Sequence, residues 1–71
     1  MIATIVSRHT RKACCGLAGS VDVFQLDDPR VGEIEVSTLP SAKVGDQIEL
    51  DYIQIDNGWR WWPVQIVKEA A

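Results

Sequence analysis

The chain has 71 residues, of which 46% are hydrophobic and 24% charged, and its formal net charge at pH 7 is −3. A length of this order admits one domain (1–71) that buries roughly 60% of its unfolded surface, and one small core leaves little apolar material to enclose a deep pocket. There is no run of about 18 apolar residues for a membrane span, and the composition is that of a folded protein rather than a disordered one.

The opening Met1-Ile2-Ala3-Thr4-Ile5-Val6 predicts a first strand over about 1–8 and lacks the pattern of a secretory signal, so a cytoplasmic location is expected. Next comes a basic cluster: residues 1–15 carry Arg8, Arg11 and Lys12 and no acid, a charge of +3 against −6 for the remainder. An acidic body repels phosphate at long range, so any contact with nucleic acid is expected to depend on this cluster. His9 lies within it and has no partner that the sequence reveals. The adjacent Cys14-Cys15 are too close in the chain for an ordinary disulfide. With one histidine, they also fall short of a zinc ligand set, so no metal is expected and both thiols read as small hydrophobes.

Gly and Pro recur about every ten residues from Gly16 onward, which is the punctuation of short strands. A second strand is predicted over about 20–26. There Val21 and Val23 have one parity and Phe24 and Leu26 the other, implying a bend or burial on both faces. A third strand over about 31–37 alternates Glu33-Ile34-Glu35-Val36, and a single helical turn is expected around 40–43. The last two strands, about 46–55 and 59–68, flank Asp56-Asn57-Gly58, where Asn-Gly supplies the positive φ of a type I′ hairpin turn.

That turn predicts Asp56 opposite Trp59, Ile55 opposite Arg60, Gln54 opposite Trp61 and Ile53 opposite Trp62. Ile48 and Leu50 then have the wrong parity for Ile53 and Ile55. A bulge at Asp51-Tyr52 repairs this, setting Leu50 against Val64 and Ile48 against Ile66 and placing Trp62 on the core face with them. With no helix to cover a sheet, closure is the economical arrangement. The expected fold is all-β, a small five-stranded antiparallel barrel of OB-like or SH3-like connectivity.

Leu39-Pro40-Ser41-Ala42-Lys43-Val44-Gly45-Asp46-Gln47-Ile48-Glu49-Leu50, followed by a hairpin and Val64-Gln65-Ile66-Val67, resembles the last two strands of OB-fold modules such as cold-shock and TRAM domains. The resemblance covers the C-terminal 30 or so residues and implies an OB barrel. The Lys-Gly-Phe-Gly-Phe and Phe-Val-His motifs of cold-shock domains are replaced here by Gly16-Leu17-Ala18-Gly19-Ser20-Val21-Asp22-Val23-Phe24, so their base-stacking aromatics are not carried over.

Function is expected to rest on Gly58-Trp59-Arg60-Trp61-Trp62-Pro63. The predicted register places Trp59, Trp61 and Tyr52 on one exposed face beside Arg60, a surface able to stack unpaired bases of single-stranded DNA or RNA, helped by Arg8, Arg11 and Lys12. The same residue types anchor protein interfaces, so a homodimer or a small inhibitor or accessory subunit is the alternative. No catalytic motif or cofactor-binding motif is present, and the expectation is a non-enzymatic binding module.

Overall fold

Alternating apolar residues and glycine-marked turns produce five strands in the computed structural model, which describes residues 1–12 and 19–70. These are β1 (Ile2–Lys12), β2 (Ser20–Leu26), β3 (Glu33–Glu35), β4 (Gln47–Ile55) and β5 (Gly58–Lys68), with a 3-10 turn at Val36–Thr38. Cys14 and Cys15 lie outside the described residues. The fold is all-β. Strand order is β3-β2-β1-β4-β5, and every neighbouring pair is antiparallel.

β1 organises the sheet because it serves two partners in succession. Ile2, Ala3 and Thr4 pair with Glu49, Ile48 and Gln47 of β4, whereas Ile5 and Ser7–Lys12 pair with β2. The changeover is a bulge: Ile5 faces Leu26 and Ser7 faces Gln25, leaving Val6 as the extra residue. A bulge bends a strand, and here it lets one strand belong to two differently oriented ladders.

The core is Ala3, Ile5, Phe24, Leu26, Ile34, Ala42, Ile48 and Leu50, with Trp61 and Ile66 leaning on it. Val23 and Phe24 are both fully buried although they point to opposite faces, so β2 is covered on both sides, as its mixed parity predicts. Ala42 is held by a turn in which its N–H donates to the Leu39 carbonyl (3.1 Å). The expected helical turn at 40–43 is thus a bare turn, and the 3-10 turn forms just before it, at residues free of the fixed φ of Pro40.

Three details differ from expectation. First, the sheet does not close: among the described residues no ladder joins β3 to β5. β3 has only three residues before the chain turns at Val36, and β5 carries Pro63, which has no N–H to give a ladder, so neither edge offers a continuous partner. Second, the hairpin turns on Asp56-Asn57 rather than Asn57-Gly58. Asp56 takes the left-handed conformation (φ 56°), which aspartate tolerates, and Gly58 pairs with Ile55. This register sets Tyr52 directly opposite Trp61, an aromatic cross-strand pair.

Third, pairing runs regularly through Asp51, Tyr52 and Ile53, and the bulge sits in β5. Leu50 faces Pro63 and Glu49 faces Gln65, leaving Val64 unmatched; Ile48 faces Ile66 as predicted, and a second irregularity follows at Val67. A residue without an N–H already interrupts the ladder at 63, so the extra residue costs least there. Because β4 is unbroken, Tyr52 keeps the parity of Leu50, so Trp61 rather than Trp62 turns toward the core. Trp62 shares the opposite face with Ile53, Ile55 and Arg60 and is 38% exposed.

The C-terminal segment is tied down beside β4. Asp46 is fully buried, and its carboxylate accepts the N–H of Lys43 (3.0 Å) and the N–H of Ala70 (2.7 Å), with the Lys43 ammonium 3.3 Å away. These bonds, that of Ala70 foremost, hold the Asp46 carboxyl below the usual carboxylate range. Gly45 has φ 98°, and a Cβ there would stand 2.9 Å from the Ala70 Cβ, so the turn needs glycine for both conformation and space.

Candidate functional site

The β4–β5 hairpin extends past the core, and its inward face there is aromatic. Tyr52 stacks on Trp59, with ring centroids 5.6 Å apart and planes 20° from parallel, and meets Trp61 at 5.1 Å and 49°. The result is a ladder, Trp59–Tyr52–Trp61, anchored at its Trp61 end on the core and increasingly exposed toward the tip: Tyr52 is 54% and Trp59 58% exposed. The sequence correctly groups these three side chains on one face. It misassigns that face, which continues the core side of the sheet rather than opposing it.

Beside the ladder lies a cleft of about 350 Å³ between the two open edges of the sheet. One wall is β5, with Arg60, Trp61 and Trp62; the other is β3, with Glu33 and Glu35; Arg11 and Val23 contribute from β1 and β2. This cleft occupies the gap left by the missing β3–β5 ladder. No sequence signal located it, because it depends on how far the two edges fail to meet.

The basic cluster is divided by the strand that carries it. Arg8 projects to the Phe24 side, where its guanidinium donates to Asp22 (2.7 Å) and lies 5.9 Å from the centre of the Phe24 ring. Thr10 also donates to Asp22 (2.8 Å). The Arg8 bond, with Thr10 second, holds the Asp22 carboxyl below its ordinary range. Arg8 is thus a lid on the core and does not reach the cleft. Arg11 has the opposite parity and meets the Glu33 carboxylate at 3.4 Å, as does His9. Lys12, opposite Ser20, shares the Arg8 parity.

Of the predicted site residues, the structure therefore gathers Tyr52, Trp59 and Trp61 in the ladder and Arg11, Arg60 and Trp61 at the cleft, and it separates Arg8 and Lys12 from them. Glu33, Glu35 and Trp62 are the cleft residues that sequence reasoning missed. The alternation Glu33-Ile34-Glu35 marks both carboxylates as outward, but nothing in it says that β5 lies opposite. Among the described residues no cluster of three or more His, Cys, Asp or Glu is placed to hold a metal, and no helix is long and apolar enough to cross a membrane. Comparison of the chain with protein-family models, with curated proteins and with solved structures finds no match.

Proposed function

We propose that this chain is a non-enzymatic binding module that holds single-stranded nucleic acid along the Trp59–Tyr52–Trp61 ladder and in the adjoining cleft. The carrying observation is the ladder itself: three rings graded from anchored to exposed, with Trp59 and Tyr52 more than half in solvent. Every base has a π face, and each base–aromatic stack contributes about 1–3 kcal/mol without regard to sequence. Arg60 at the cleft supplies a cation for the backbone, with the planar fork that suits phosphate, while Arg11 is held by Glu33.

The strand order supports an OB-like reading. β1 is shared between a β1–β2–β3 meander and a β4–β5 hairpin, and the cleft lies against the outer side of β2 and β3 between the two hairpins. OB folds bind oligonucleotides on that face.

A protein partner is the second reading, and one observation favours it: Arg8, His9 and Arg11 are already engaged by Asp22 and Glu33, which leaves a mixed-charge surface around exposed tryptophans. Trp, Tyr and Arg dominate binding energy in such interfaces, in a homodimer or against a target that this chain inhibits or assists.

The deciding experiment is a tryptophan-fluorescence titration with single-stranded DNA and RNA at two salt concentrations, with light scattering on the same sample. Nucleic-acid binding predicts quenching that weakens shallowly with salt, with a log–log slope of about −0.7 if Arg60 meets one phosphate. Unchanged fluorescence together with a doubled mass refutes it in favour of self-association.

A further inference from the structure

Resting on the nucleic-acid reading, we infer that the cleft selects the base it accepts: it takes a nucleobase through an amino-bearing edge, and so prefers cytosine to uracil. The ladder is indifferent to base identity, because stacking uses the ring face. The cleft is different in kind. Its β3 wall presents Glu33 and Glu35, and a carboxylate repels a phosphodiester. Nucleic acids offer such a wall donors: the N–H groups on base edges, which unpaired strands leave accessible, and in RNA the 2′-hydroxyl.

The two carboxylates are not equivalent. Glu33 is shared by Arg11 and His9, each at 3.4 Å, so its charge is already answered within the fold. The Glu35 carboxylate has no hydrogen-bond or ion-pair partner among the described residues, although its backbone carbonyl accepts the Thr38 hydroxyl at 2.6 Å. Glu35 is thus the acceptor with capacity to spare, across the cleft from Trp61 and Trp62. At about 350 Å³ the space accommodates one base turned out of a stack, with Arg60 on the β5 side to meet its phosphate.

Cytosine presents a 4-amino donor to this acceptor, and uracil presents a carbonyl oxygen in the same place. A carboxylate therefore gains a donor from the first, whereas uracil's one edge donor, N3–H, lies between two carbonyl oxygens that the carboxylate repels. Since the two pyrimidines stack alike, the difference between them isolates the edge contact from the ladder.

The test compares oligo(dC) with oligo(dU) of about ten nucleotides, a length matched to a single small OB-like domain, by fluorescence quenching of the full chain and of Glu35→Ala at neutral pH. The wild type is expected to bind oligo(dC) roughly tenfold more tightly. In Glu35→Ala the ratio should fall toward one because oligo(dU) gains, while oligo(dC) loses. Glu35 is exposed, and the circular dichroism spectrum of the variant checks that it folds. Equal wild-type affinities overturn the inference and leave the nucleic-acid reading standing. A preference that survives in Glu35→Ala also overturns the inference. Binding of neither oligomer overturns the inference and the reading together.

Discussion

Trp59→Ala separates the binding role proposed for the ladder from its structural one, because Trp59 is 58% exposed and does not belong to the core. An aromatic side chain of this size has up to about 250 Å² to bury. With more than half of Trp59 in water, about 100 Å² is covered, an upper limit of about 2.5 kcal/mol at 25 cal/mol per Å². Part of that cover is the stack on Tyr52, whose other ring contact, with Trp61, survives the truncation. The expected loss of stability is therefore about 1–2 kcal/mol, against a total of about 4–10 kcal/mol for a domain of this length. The variant stays folded. Its affinity for single strands should fall by the value of one stack, about 1–3 kcal/mol, or roughly 5- to 150-fold. Anisotropy of a labelled oligonucleotide at low salt, with urea denaturation of the same preparation, measures both quantities. Trp61→Ala is the contrasting variant: it removes a ring that leans on the core, so it should lose more stability than Trp59→Ala. A Trp59→Ala protein that is folded and binds as tightly as the wild type would show that the ladder is not the contact surface.

Two further outcomes follow from the tied-down turn and from the paired carboxylates. Gly45→Ala forces a Cβ into a φ of 98° and to within 2.9 Å of the Ala70 Cβ, and should destabilise the fold by about 1–3 kcal/mol; an unchanged urea midpoint would contradict this. Asp22, Asp28 and Asp46 all have carboxyls held below their ordinary value of 3.8, by Arg8, Arg30 and the Ala70 N–H respectively. A depressed folded pKa contributes stability that is present above the unfolded value and lost as pH falls through the folded one. Urea midpoints should therefore hold from about pH 7 to 5 and drop below about pH 4, with a smaller drop in Asp46→Asn; a wild-type midpoint that does not fall in acid would refute the assignment.

Much of the strand plan is readable in the chain, and the reasons are local. Gly and Pro punctuation marks the ends of β2, which spans Ser20–Leu26 as predicted, and alternation places Ile34 inward between two outward glutamates. The expected pairing of Ile48 with Ile66 is met because two one-residue differences cancel: the turn falls one residue earlier than expected, and the bulge lies in β5 rather than β4. Basic residues at 8, 11 and 12 stand out by charge, yet their counter-ions lie on other strands. Asp22 and Glu33 reach Arg8 and Arg11 only after β2 and β3 have paired.

The sequence by itself determined an all-β chain, its five strands, its long C-terminal hairpin and the grouping of Tyr52 with Trp59 and Trp61, since each follows from short-range periodicity and turn chemistry. Tertiary structure decided which face that group occupies, where the bulge falls and whether the sheet closes. A single residue inserted in either strand of a hairpin reverses the facing of everything beyond it, and the local pattern of β4 fits an insertion as well as its absence. The choice was made by Pro63, which lowers the cost of a bulge in β5, and by the pairing of Tyr52 with Trp61 across the ladder. The cleft exists for a related reason: β3 ends after three residues, so the edge of β5 has nothing long enough to pair with, and a gap is left between them.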